Sequence, residues 1–191
     1  MSRYRSKLLH AGVALALLVM SAALWPSLGA SATSLATVAV ATATTAACPT
    51  PGNNVCISNT PTVALTLNGK NQTVSYRLAF TLDNGQSGNW HATITTTQFT
   101  AGGHTLPVNA SIVTAVATAS ACAESICPGN TIGYPVQIVA GTPATFYDNT
   151  GGDQHGVGTF TLQATINVVV PGNTYAGTYT STITIAFLSG P

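Results

Sequence analysis

Asp148, Asn149, Asp153 and His155 form the densest gathering of oxygen and nitrogen donors in the chain, and such a cluster can hold a cation. Their spacing does not follow an EF-hand loop, where ligands recur at alternate positions around a central glycine. Asp, Asn and Gly are also ordinary turn residues, because they tolerate the backbone angles a turn needs. A turn is the expected role, and no metal or cofactor is expected. The four cysteines offer different chemistry: Cys48 and Cys56 bracket CPTPGNNVC, and Cys122 and Cys127 bracket CAESIC. Neither spacing is the tight one of a zinc site, and no histidine stands at a matching offset. Disulfides are expected. Four cysteines allow three connectivities, and the local pairs, 48 with 56 and 122 with 127, are favoured.

Catalysis has no comparable signature. Past residue 32 the acidic side chains are Asp83, Glu124, Asp148 and Asp153, with no pair at an interval suited to general acid and base work. No G-x-S-x-G occurs, and no glycine loop joins a strand to a helix as a phosphate cradle. A non-enzymatic protein is expected. His91 and His104 read as surface histidines, and Trp90, on an alternating strand, reads as core before ligand platform.

The first residues bear on where this chemistry would operate. Arg3, Arg5 and Lys7 precede an uncharged run from Leu8 to Trp25, which contains AGVALALLVM, and Pro26 and Ala30-Ser31-Ala32 follow. That order predicts a cleavable signal peptide over residues 1–32, its helix ending before an A-x-A site. The run approaches the length of a spanning helix, but the proline and the small residues follow promptly, so no membrane span is expected after cleavage. Removing the signal leaves Lys70 and Arg77 against four acidic residues, a net charge of −2. So few cations cannot neutralise many phosphates, which argues against nucleic acid or anionic lipid as the main partner. An extracellular location follows, and an oxidising compartment fits the even cysteine count.

The elements that would position these residues are strands. Residues 33–61 read as an extended N-terminal segment carrying the Cys48/Cys56 loop; the run from Ser31 to Ala47 that overlaps its start, free of Gly, Pro and charge, is a tether or a first strand. Residues 62–191 read as one domain of short β-branched and aromatic runs with Gly, Asn and Pro between them. TVALTL ends at Asn68-Gly69 and TVSYRLAFTL at Asp83-Asn84-Gly85, both strong turn signals. NWHATITTTQF puts Trp90, Ala92, Ile94 and Thr96 on one face, and VGTFTLQATINVVV does the same for Phe160 through Val168. GTYTSTITIAF groups Tyr179, Ser181, Ile183, Ile185 and Phe187. PATFYDNTGGDQHG reads as an exposed loop. Seven to nine strands without a helix past the signal predict an all-β antiparallel sandwich, with a closed barrel as the alternative.

The last strand carries a resemblance. YTSTITIAFLSGP, from Tyr179 to Pro191, resembles the C-terminal signature of WxL-domain surface proteins: a Tyr, then an aliphatic residue and Thr, a Trp-x-Leu and a terminal Pro. Tyr179, Ile183, Thr184 and Pro191 are in register, with Ile185 at the Trp position and Phe187 at the Leu position. The first Trp-x-Leu of that family corresponds to Trp90-His91-Ala92, with Ala92 replacing Leu, so the likeness runs from about Thr73 to Pro191. It implies non-covalent attachment to the peptidoglycan of a Gram-positive-type bacterial cell wall, often beside partner surface proteins, with Trp90, Tyr179, Ile185, Phe187 and Pro191 as candidate binding residues. Two further readings stay open. One is a structural subunit of a surface fibre or coat that self-associates by pairing the 31–47 segment with a neighbour's sheet edge. The other is a carbohydrate-binding module, which would need an aromatic row where the sequence offers Tyr134, Tyr147 and Tyr175 in loops.

Overall fold

The computed structural model describes residues 35–42, 54–85, 88–118, 129–149 and 158–189. The chain divides into two units, Met1–Ala32 and Thr33–Pro191, and all described residues belong to the second. The signal segment, Cys48, Cys122, Cys127, Asp153, His155 and Pro191 lie outside the described residues. Twelve strands are present among those described: β1 (Leu35–Thr42), β2 (Asn54–Ile57), β3 (Thr62–Thr66), β4 (Gln72–Asn84), β5 (Trp90–Thr96), β6 (Thr100–Ala101), β7 (His104–Thr105), β8 (Ser111–Thr118), β9 (Val136–Ile138), β10 (Ala144–Asn149), β11 (Gly158–Val170) and β12 (Thr178–Ser189).

They form two sheets. The larger runs β10-β5-β12-β1-β3 with the β6–β7 ladder beside β12, and the smaller runs β2-β4-β11-β8-β9. Each sheet keeps two outer strands and neither closes on itself, so the architecture is a sandwich and not a barrel. All pairings are antiparallel except β1 with β12. More strands form than the seven to nine expected, because β1 and β2 come from the N-terminal segment and β6 and β7 are two-residue pieces of the AGGHTLP turn.

Period-two alternation explains the long strands. In β4 the side chains of Val74, Tyr76, Leu78, Phe80 and Leu82 are buried, and in β11 those of Phe160, Leu162, Ala164, Ile166, Val168 and Val170. These rows lie side by side in register, Phe80 beside Leu162 and Tyr76 beside Ile166. Each fully buried Leu, Ile or Phe contributes about 1.5–3 kcal/mol, so the β4–β11 pair forms much of the core. Across the sandwich Phe80 meets Phe146 of β10, ring centroids 5.6 Å apart and tilted by 59°, within the favourable tilted range for aromatic pairs.

The loop expected over PATFYDNTGG is corrected in part: Ala144–Asn149 is an outer strand of the larger sheet. Its adjacent aromatics, Phe146 and Tyr147, are both buried, which breaks the alternation that signals a strand. A register shift against β5 between Thr145 and Tyr147 turns both rings inward, the effect of a bulge. Asn68-Gly69 makes its expected turn, with Gly69 at φ 74° and Asn68 Oδ1 accepting from the Lys70 N–H at 3.0 Å. The strands on either side lie in different sheets, however, so the turn is an arch over the sandwich end and not a hairpin. A true two-residue hairpin is the β6–β7 turn, where Gly102 and Gly103 both hold positive φ, 52° and 87°, as a twist-compatible hairpin requires.

Candidate functional site

Strands β5 and β12 lie side by side and carry both tripeptides of the family resemblance. Ile185 pairs with Ile94, Ala186 with Thr93 and Phe187 with Ala92. Trp90 is only 1% exposed, stacked on Tyr147 at 5.3 Å and meeting Phe187 at 5.4 Å. The small Ala92 gives the Phe187 ring room beside the indole. Ile185 and Tyr179 are also buried, and the Tyr179 hydroxyl donates to the Tyr175 carbonyl at 3.1 Å. Trp90 and Phe187 are thus brought together, Tyr179 lies at the opposite end of β12, and of the four only half-buried Phe187 keeps part of its ring in contact with solvent.

The other face of the same two strands is accessible. Thr93, Thr95, Thr182 and Thr184 point away from the core, with Thr184 beside Thr95. Where β5 ends, Thr97 keeps β12 in contact: its N–H donates to the Thr182 carbonyl at 2.9 Å, its hydroxyl accepts from the Thr182 N–H at 2.8 Å, and its carbonyl accepts from the Ser181 hydroxyl at 2.6 Å. The turn after β9 closes over this point, with the Gly141 N–H on the Thr96 carbonyl and the Ala140 N–H on the Val108 carbonyl, both at 2.8 Å. The result is an open depression of about 350 Å³ lined by Thr95, Thr96, Thr97, Gln98, Val108, Ala140, Gly141, Thr182 and Thr184. No ionisable side chain among the described residues lines it. Threonine hydroxyls, a glutamine amide and methyl groups suit a neutral, polyhydroxylated ligand, which offers both hydrogen-bonding groups and apolar ring faces.

Of the donor cluster, the described members serve the fold. Thr131 binds Asp148 twice, hydroxyl to Oδ2 at 2.9 Å and N–H to carbonyl at 3.0 Å. The Gly129 N–H donates to Asn149 Oδ1 at 3.1 Å, and Asn130 Oδ1 accepts from the Asp148 N–H at 3.1 Å. Residues 129–134 are thereby strapped along β10. Tyr134 completes the strap, donating to the Phe146 carbonyl at 2.6 Å and accepting from Asn130 Nδ2 at 2.9 Å; burial pushes its phenol up against the Asn130 bond, which lowers it. Among the described residues no three His, Cys, Asp or Glu side chains come together as a metal site. No described cysteine is a free thiol, Cys56 included. No helix among the described residues is long and apolar enough to cross a membrane.

His91 is half-buried on the outer face of β5, and exposed His104 stacks on exposed Tyr175 at 3.9 Å. Tyr147, expected in a loop, is a buried β10 residue. The polar alternation in β5 and β12 marks Thr95, Thr97, Thr182 and Thr184 in the sequence; Gln98, Val108, Ala140 and Gly141 reach the depression only through tertiary folding and have no local signal. Searches with protein-family models and among curated proteins return no match for this chain.

Proposed function

We propose that this chain is a secreted, non-enzymatic, WxL-like surface protein that associates non-covalently with the cell wall, and that the threonine-lined depression meets the wall glycan. The observation that carries this reading is an uncharged, hydroxyl-rich depression on the outer face of the two strands whose inner faces hold Trp90 and Phe187. A glycan strand is rich in hydroxyls and amides, and weak hydrogen bonds from several threonines add along it. The signal-like residues 1–32 and the scarcity of Lys and Arg fit the same location.

Co-sedimentation of the exported chain, residues 33–191, with insoluble peptidoglycan is the test. Retention in the pellet is expected, weakened several-fold by Thr95→Val and Thr184→Val together, which keep shape and remove hydroxyls. Recovery of the unaltered chain wholly in the supernatant overturns wall association. The accompanying disulfide reading is checked by thiol labelling: two disulfides leave no free thiol, whereas four labelled cysteines in the secreted protein contradict it.

A further inference from the structure

We infer that β1 is an exchangeable strand, and that the slot it fills between β12 and β3 accepts residues 35–42 of a second copy of this chain. The position of β1 carries the inference. It is the sole parallel pairing among the described residues, running beside β12 from Thr37↔Thr178 to Thr42↔Ile183, while its other edge pairs antiparallel with β3 from Leu35↔Thr66 to Ala39↔Thr62. A strand bonded on both sides closes a sheet that would otherwise show two open edges, and open edges recruit strands. β12 is already held on its far side by β5 and β6. The vacated slot is therefore one strand wide.

Topology makes β1 removable. With the signal removed as proposed above, on which this step rests, β1 lies close to the start of the exported chain, so it can leave and enter without threading. Its next neighbour in sequence, β2, belongs to the other sheet, and residues 43–53 are the sole direct link between them. Fully extended, the eleven residues span at most about 36–40 Å, and the six up to Cys48 at most about 20–22 Å once the expected 48–56 disulfide closes the rest; the shorter reach confines exchange to an adjacent copy. The segment LATVAVAT holds no Gly, Pro or charge that would oppose pairing in either place. Wall binding plays no part in this exchange.

Because contacts made within a copy and between copies are the same, concentration decides between them. A short link of this kind sets an effective concentration on the order of millimolar, so exchange between copies becomes extensive as the protein approaches that level. When each β1 enters the next copy the contact is head-to-tail and open-ended; when two copies trade strands it closes as a dimer.

The experiment uses the exported chain and a fluorescent peptide of residues 33–43. Incubated at about millimolar peptide below the melting temperature, the peptide is expected to stay with the protein through gel filtration, at about half a peptide per chain and rising with excess peptide. A peptide with Val38→Pro and Val40→Pro, which loses two ladder donors, is expected to be rejected. No retention of the native peptide, or equal retention of both, overturns the slot. Light scattering then reads the partner: oligomers that grow with protein concentration and revert to monomer with excess native peptide support exchange between copies. A chain that stays monomeric at about millimolar overturns it.

Discussion

Three tyrosines receive the same chemical deletion, Tyr to Phe, with opposite expected outcomes. Tyr76 projects from β4 into the core beside Ile166, and its hydroxyl is buried without a hydrogen-bond partner. A buried polar group left unpaired costs about 1–3 kcal/mol relative to its solvated state, and burial pushes this phenol's pKa well up. Tyr76→Phe removes that cost and leaves a void of one oxygen atom, which forfeits some dispersion contact. A net gain of about 1 kcal/mol is expected at the low end of that range, or roughly 2–4 °C in Tm for a chain of this size. Tyr179→Phe loses the 3.1 Å bond to the Tyr175 carbonyl and should cost about 0.5–1 kcal/mol. Tyr134→Phe strips both the Phe146 carbonyl and Asn130 Nδ2 of a partner and should cost about 1–3 kcal/mol. Urea unfolding followed by tryptophan fluorescence, Trp90 being the sole tryptophan after residue 32, measures all three. A lower midpoint for Tyr76→Phe than for the parent chain, at unchanged slope, refutes the reasoning.

Other outcomes follow from packing and charge. Phe187→Ala removes the ring beside Trp90; since Phe187 is half-buried, the loss should be near 2 kcal/mol, below the roughly 3–5 of a fully buried Phe, with a red shift in Trp90 emission. Gly172→Ala would place a Cβ 2.5 Å from the Gly69 carbonyl oxygen, whereas Gly177→Ala meets only Ala101 Cβ at 3.4 Å; calorimetry should show the first lowering Tm by several degrees and the second leaving it nearly unchanged. Tyr147 is pushed up to about 12, mainly by burial with the nearby Tyr134 adding and a Thr118 hydrogen bond opposing. Unfolded phenols lose protons near about pH 10, so above that the unfolded state binds fewer protons than the folded one. Stability should be full below about pH 10 and fall as pH rises toward about 12, measured as urea midpoints at pH 9, 10.5 and 11.5.

Much of the sandwich was legible because alternation is a local property. The inward rows of β5, β11 and β12 follow from every second residue, and all of those named in β5 and β11 are buried. β10 escaped because Phe146 and Tyr147 face inward together, and only the partner strand reveals the bulge that allows it. The Asn68-Gly69 turn was legible as a turn but not as an arch, since φ is local and sheet membership is not. The candidate site divides the same way: its threonines follow from strand parity, while Val108 and Gly141 arrive through hydrogen bonds to residues far along the chain. Trp90 and Phe187 stood out as a motif at matched positions, and the pairing of β5 with β12 turned them into one core contact.

The parallel run of β1 beside β12 also sets how the domain meets force. When parallel neighbours are pulled from the start of one and the end of the other, the strands slide along each other, and every bond between them is loaded at once. The first and last described strands stand in that relation over six register pairs. Tension applied through the two ends of this chain, or through a β1 inserted in the next copy, therefore meets the sheet in shear, its stiff direction, and does not peel it open one hydrogen bond at a time.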